Sequence, residues 1–252
     1  VILRPVHPEP GPPIQLGEPG ARDRLRELYR RDAGAHGIRL NLIASIDGSA
    51  RGDDGTSESL SSRADRAVLG AIRAESDVVL VGAATLRREG YLVPRTARLA
   101  VLTASGELAS AQLGETTDAD KLIVIGPAEA GGRVAATLDA PHRFIPLEAD
   151  TDARPDAGPG AAGRVRLADA LAALEGLGLS RILSEGGPSL AAALIAEGLV
   201  GELCLSTSPR LTGGGLPVLG ELQHPAVEAR LARLLVDDAG GLYARWLLPA
   251  GS

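Results

Sequence analysis

The sequence predicts an α/β fold: a mixed, mostly parallel sheet flanked by helices and ended by a C-terminal antiparallel hairpin. Three observations lead there. From residue 39 onward, short β-branched or Leu-rich runs alternate with longer segments of helical period, which is the order of a parallel sheet covered on both faces. The last two runs are joined by Asp238-Ala-Gly-Gly241, whose glycines suit a tight antiparallel turn. A hydrophobic content of 44% with 23% charged residues over 252 positions is that of an ordinary globular chain.

Taken in order, residues 1–20 are rich in proline and glycine and read as an arm without strand or helix. A short charged helix follows at 22–31, with Leu25 and Leu28 inward. Residues 1–37 are therefore expected to be an arm, and 38–250 a single domain. Strands are expected at 39–46, 78–82, 99–103, 121–126, 143–147, 181–184, 202–208, 228–236 and 242–248. Helices are expected at 62–75, with Ala64, Val68, Ala71 and Ile72 on one face; at 83–89; at 130–138; at 168–176; and at 188–197, with Leu190, Ala193, Leu194 and Glu197 in register. Asp150 to Gly163 and the Gly213-Gly214-Gly215 run read as loops.

Composition excludes several functions. The 26 Lys plus Arg against 32 Asp plus Glu leave a net charge of −6, so a phosphate backbone is a poor partner. No run approaches the roughly 18–20 apolar residues of a membrane span, and the N-terminus lacks the order of a secretory signal; a cytoplasmic protein is expected. The one cysteine, Cys204, sits in strand-like Glu202-Leu-Cys-Leu-Ser206 and reads as a core thiol. His7, His36, His142 and His224 lack metal-ligand spacing, so no metal site is expected.

In open α/β sheets ligands gather beyond the carboxyl ends of the strands, and four segments there could carry chemistry. Asn41-Leu-Ile-Ala-Ser-Ile-Asp47-Gly48 ends a strand in an acid and leads into a loop dense in hydroxyls, with Ser61 or Ser62 as the next helix's cap. Val78-Val-Leu-Val-Gly82 runs into a short helix at Ala83, whose first-turn amides could receive an anion. Arg181-Ile-Leu-Ser-Glu185-Gly186-Gly187-Pro188-Ser189-Leu190 is the sharpest signal: two glycines let backbone approach a ligand, proline suits the first helical turn, and the free amides and dipole there favour a phosphate. Glu185 could orient a substrate amino group or be a solvated turn carboxylate. Ser206-Thr-Ser-Pro-Arg210-Leu-Thr-Gly-Gly-Gly215 reads as a wall or moving loop near the same crevice.

These segments, in this order, resemble the reductase domain of riboflavin biosynthesis, a branch of the dihydrofolate-reductase-like superfamily. The resemblance rests on Ala-Ser-Ile-Asp-Gly at 44–48, the Ser61 to Arg73 helix, Val-Gly-Ala-Ala-Thr-Leu at 81–86, Glu185-Gly-Gly-Pro-Ser-Leu190, and Gly198-Leu-Val-Gly-Glu-Leu203 leading to Ser208-Pro-Arg-Leu-Thr-Gly-Gly-Gly215. It covers roughly residues 38–248. It implies a dihydrofolate-reductase-like sheet, a homodimer, and NADPH-dependent reduction of a phosphorylated ribosylamino-pyrimidine to its ribitylamino form.

Carried over by residue, the resemblance assigns Ala44, Ser59, Thr85, Glu89 and the turn Gly186, Gly187, Pro188, Ser189 and Leu190 to NADPH. It assigns Asn41, Ser57, Arg73, Val93 and Glu185 to the pyrimidine or its ribose phosphate, with Arg95 or Arg98 as a second phosphate cation. Asp47 or Glu185 is then the candidate for fixing amino groups and protons, and Thr103 and Ser105 are candidate contacts of the cofactor's 2′-phosphate. The chain departs from bifunctional relatives in having no zinc-deaminase signature, Asn41 in place of a Lys, and Ser59 in place of a bulky aromatic. A pteridine or dihydrofolate reductase on the same fold and a catalytically silent nucleotide-binding homologue are the alternatives.

Overall fold

A computed structural model describes residues 1–32, 34–90, 93–109, 113, 118–150, 165–220, 222 and 226–249. Most of the expected 150–163 loop lies outside them. The chain divides into two compact units, Val1–Ser76 with Leu183–Ser252, and Asp77–Ile182.

The first unit is built on β3 (Ile38–Ser45), which pairs in parallel with β8 (Ile182–Gly186) on one side and β9 (Val200–Ser208) on the other. Beyond β9 the sheet turns antiparallel through β11 (Leu242–Leu247) and β10 (Arg230–Asp237). The turn between those two strands occupies 238–241, as the glycines there predict. The antiparallel end continues into the N-terminal segment: β1 (Ile2–His7) pairs with β10, and two-residue β2 (Ile14–Gln15) pairs with β1.

The strand in residues 2–7 corrects the expectation of an arm without strands. Proline density conceals it, because a proline removes a ladder donor and is tolerated in sheets chiefly at edges and bulges. Pro5 stands at such a place, beside the register shift between Pro5 and His7. Tertiary pairing with β10 then stabilises a segment whose local composition argues against a strand.

Helix α1 (Ala21–Tyr29) turns Ala21, Leu25 and Tyr29 inward at a spacing of four. Leu28, expected inward, is only half-buried. Helix α2 (Arg63–Ala74) is capped by the Ser62 hydroxyl, which accepts from the Asp65 amide, and buries Ala64, Val68, Ala71 and Ile72 as expected, together with Asp65. Helix α6 (Pro188–Ala196) buries Ala191, Leu194 and Ile195. That differs from the register expected from sequence, since Pro-Ser-Leu-Ala-Ala-Ala-Leu-Ile-Ala is apolar nearly all round and periodicity cannot choose a face.

The second unit carries the parallel strands β4 (Val78–Gly82), β5 (Arg98–Leu102), β6 (Leu122–Pro127) and β7 (Arg143–Leu147), in that order. With them go α3 (Ala83–Glu89), α4 (Gly131–Thr137) and α5 (Leu167–Gly176). The uninterrupted apolar runs Val78–Val81 and Leu122–Ile125 are fully buried, as central parallel strands with both faces covered must be. Its entry and exit are tied by Asp77 and Arg181: the Arg181 amide donates to Oδ2 at 2.8 Å and its Nε to Oδ1 at 3.0 Å. No described helix is long and apolar enough to cross a membrane.

Candidate functional site

Strand alternation decides which polar groups share a face in the first unit. Arg39, Asn41, Ile43 and Ser45 of β3 stand beside Glu202, Cys204, Ser206 and Ser208 of β9, and Ser206 stands beside Tyr243 of β11. Cross-strand neighbours point the same way. Helix α2 lies over this face: Asp65 in its first turn reaches Ser206 of β9, and Arg73 in its last turn reaches Glu185 of β8.

Arg73 and Glu185 form a two-point ion pair, Nε to Oε1 at 2.6 Å and Nη2 to Oε2 at 2.7 Å. Burial opposes the Arg73 charge, but the hydrogen bond and attraction of Glu185 outweigh it, so the guanidinium pKa rises. The site thus joins two residues that sequence reading assigned separate duties. Glu185 also lies within β8 rather than in the turn after it, so its direction is set by the pleat.

The glycine turn follows at once. Gly186 has φ 75°, and a Cβ there would meet Leu42 Cδ2 at 3.0 Å. Gly187 is the N-cap of α6, Pro188 occupies its first position, and no side chain caps the turn. Ser189 is exposed and Leu190 half-buried. No side chain caps this nine-residue helix, so its first-turn amides lack a side-chain acceptor, and Gly220 packs close by, where a Cβ would lie 3.1 Å from the Pro188 carbonyl oxygen.

Asp47 is a clasp. Its carboxylate accepts from the Ser45 hydroxyl at 2.6 Å, from the Thr212 amide at 3.1 Å and from the Gly214 amide at 3.0 Å. Those bonds, the one from Ser45 foremost, hold its pKa well below the usual carboxylate range. The carboxylate is thus occupied as an acceptor by three donors, and what these bonds show for Asp47 is an anchor of the 212–215 loop. The chain just after that loop is paired as well: Ala50 donates to Leu216, and Val218 to Gly48.

Sequence reading missed Asp65. It is 7% exposed, accepts from the Ser61 hydroxyl at 2.8 Å and from Ser206, and burial pushes its pKa up against those bonds. It lines a cavity of about 180 Å³ with Ile43, Ser62, Ser208, Arg210 and Tyr243. The Tyr243 hydroxyl donates to Asp237 at 2.7 Å and lies 3.1 Å from Ser62 Oγ, and burial chiefly raises its pKa. The available signal was an acid on the apolar stripe of α2, three residues after its cap.

The remaining candidates fall as follows. Asn41 is half-buried on the face described, whereas Ala44 is buried and can offer a ligand only backbone. Ser59 donates to Asp54 at 2.6 Å, and the Ser57 carbonyl accepts from Leu60; both organise the 52–61 loop. In the second unit, Thr85 is half-buried in α3, Glu89 is exposed at its end, Val93 is half-buried and Arg95 exposed. Of the two candidate 2′-phosphate contacts, Thr103 is 3% exposed and accepts from the Gly106 amide at 3.0 Å, and Ser105 is the exposed member of the pair. Cys204 is the expected core thiol, 2% exposed, with a pKa pushed up to about 12 by burial.

Comparisons with known proteins bear on the fold and the family. The chain is 27% identical over 229 residues to the riboflavin biosynthesis protein RibD of Chlamydia trachomatis, covering 88% of this chain and 59% of that protein. It is 28% identical over 187 residues to the 2,5-diamino-6-ribosylamino-4(3H)-pyrimidinone 5′-phosphate reductase of Archaeoglobus fulgidus, covering 70% of this chain and 82% of that one. Among solved structures, a pyrimidine reductase-like protein of Corynebacterium diphtheriae shares the fold with a TM-score of 0.65, at 20% identity over 94% of this chain and 98% of that one. The chain spans only about half to three fifths of the length of the RibD proteins it matches. Residues 37–243, which include β3, the Glu185-Gly-Gly turn and β10, match the RibD C-terminal domain, and the chain belongs to that family.

Proposed function

We propose that this chain is an NADPH-dependent reductase of riboflavin biosynthesis, converting a phosphorylated ribosylamino-pyrimidine to its ribitylamino product, with residues 38–250 acting as one reductase domain. The observation that carries the reading is the pair of charged groups at opposite ends of α2. Asp65 and Arg73 are eight residues apart, roughly 12 Å along a helix axis, a span suited to a ring at one end and a sugar phosphate at the other. Asn41 and Ile43 of β3 lie on the face between β9 and β8 that these two groups reach.

Asp65, in its cavity, accepts paired N–H donors of the pyrimidine ring. Arg73, held in place by its ion pair with Glu185, takes the phosphate end. The uncapped start of α6 and the close-packed Gly186 fit the diphosphate of NADPH, which supplies the hydride when bound. The Asp47 clasp holds the 212–215 loop as a wall of the cleft and limits water there. Ser105, exposed just after β5, is assigned to the 2′-phosphate on its position. The family resemblance makes the protein a cytoplasmic homodimer, and light scattering that returned a monomer mass across micromolar concentrations would refute that state.

The buried Asp65 also favours a second reading, reduction of dihydrofolate or another pteridine, because a buried carboxylate suits any ring that presents adjacent N–H donors. NADPH oxidation with the deaminated ribosylamino-pyrimidine phosphate, its diamino-pyrimidinone analogue and dihydrofolate, run side by side, separates the two. Turnover of the phosphorylated pyrimidines alone supports the first reading, and turnover of dihydrofolate alone replaces it with the second. Binding of NADPH with no turnover of any of them would leave the silent homologue.

A further inference from the structure

At the amino end of the same sheet face, beneath α1, an arginine cluster converges on one acid that the proposed reaction does not use. Arg39 Nη2 lies 2.8 Å from Glu202 Oε1, Arg245 Nε lies 2.5 Å from the same oxygen, and Arg31 Nε stands 3.7 Å from Oε2. The side chains of Arg39, Arg245 and Glu202 are 2%, 6% and 1% exposed. Arg233 stands directly across from Arg245 on β10, a like-charge neighbour that costs stability. The only other acid that pairs with these arginines among the described residues is Asp32, 3.5 Å from Arg245 and 73% exposed, too solvated to offset a buried charge.

The carbonyls at the end of α1 help without closing the account. Tyr29 O accepts from Arg39 Nη2 at 2.6 Å, and Leu28 O from Arg245 Nη1 at 3.5 Å. Yet five arginine nitrogens, Arg31 Nε, Arg39 Nε, Arg39 Nη1, Arg233 Nε and Arg245 Nη2, and one acceptor, Glu202 Oε2, which faces Arg31 Nε at 3.7 Å, are buried with no hydrogen-bond partner among the described residues. Buried polar groups are almost always partnered, and an uncompensated buried charge is more expensive still. Water can satisfy donors but cannot balance charge, and the excess here is positive.

We propose that this cluster is a binding site for a small monovalent anion, halide- or formate-sized, held by the unpartnered Arg39 and Arg245 nitrogens and closed over by the end of α1. The anion neutralises the arginine excess around Glu202 and fastens the N-terminal segment to the sheet. The site is separate from the residues assigned to substrate and cofactor.

The test is thermal unfolding of the full chain in sodium bromide against sodium gluconate at equal ionic strength, with a bromide-soaked crystal read by anomalous scattering. The expected result is a bromide peak within hydrogen-bond distance of Arg39 or Arg245, and a melting temperature about 3–6 °C higher in 0.1 M bromide. Arg31→Met, the most exposed arginine of the three, should shrink the bromide effect; Glu202→Gln, which adds to the positive excess, should enlarge it. An anomalous map without a peak there, or the same bromide response in wild type and both variants, overturns the proposal. These readouts need no turnover, so the anion site can fail while the reductase reading stands, and the reverse.

Discussion

Arg73 and Glu185 stand 112 residues apart in the chain and share a two-point ion pair that ties the last turn of α2 to the end of β8. The acid is the more buried partner, 9% exposed against 26% for the arginine, so removing the cation strands a carboxylate. Arg73→Ala is expected to cost about 1–3 kcal/mol, below the ~3–5 of a fully buried pair because the guanidinium is partly solvated. It should also raise KM for the phosphorylated pyrimidine by about 10-fold or more, the loss of a charge-assisted contact. Urea titration and initial rates check both, and an unchanged KM would remove Arg73 from the phosphate role.

Asp65 carries a pKa raised by burial. A raised carboxyl binds more protons in the folded than in the unfolded state, so stability falls as pH rises from about 4 through the folded pKa. Asp65→Asn should therefore flatten the stability profile over that window and leave the protein as stable as wild type, or more so, at pH 7. Substrate affinity should fall at the same time, since an amide offers one acceptor where the carboxylate offered two. Stability gained together with unchanged KM would mean the cavity binds nothing in turnover.

Asp47 is shifted the other way by its donors. A depressed folded pKa supplies stability above the unfolded value near pH 4 and loses it only as pH falls through the lower folded value. The clasp should thus persist at pH 5. Hydrogen exchange corrected for intrinsic rate should show equal protection of the Thr212 and Gly214 amides at pH 5 and 7, and loss of that protection in Asp47→Ala. Protection untouched by the substitution would show that the loop is held elsewhere.

Gly186 has a positive φ and a would-be Cβ pressed on Leu42. Gly186→Ala should destabilise the fold by about 1–2 kcal/mol and weaken NADPH binding through displacement of the turn. Isothermal titration of NADPH against the variant tests this, and wild-type affinity would separate the turn from the cofactor.

Ser105 is exposed after β5 whereas Thr103 is turned inward. Ser105→Asp alone should raise KM for NADPH by about 10-fold while sparing NADH, because a carboxylate repels a 2′-phosphate and tolerates a 2′-hydroxyl. Equal effects on both cofactors would place the 2′-phosphate elsewhere.

The repeating part of the fold was legible in the sequence for a physical reason: parallel strands buried on both faces must be continuous apolar runs, and Val78–Val81 and Leu122–Ile125 announce themselves. The stripe of α2 was equally plain, since polar positions interrupt it at helical period. Helix α6, apolar all round, hid its inward face, and β1 hid behind a proline that a register shift accommodates. Local pattern is silent where the neighbour, not the segment, decides.

The same division runs through the site. By itself the sequence determined that a glycine pair stands where a strand gives way to a helix, that Asp47 lies just past the end of another strand, and that Cys204 is core, because each follows from what a residue can do within its own segment. Only the tertiary structure decided that Arg73 answers Glu185, that Asp47 holds the 212–215 loop, and that Asp65 lies in a cavity with Ser206 and Tyr243. Those are relations between side chains brought together by the pairing of β3 with β8 and β9, and a charge's partner, and so its chemistry, is set by distance in space, which a linear pattern does not contain.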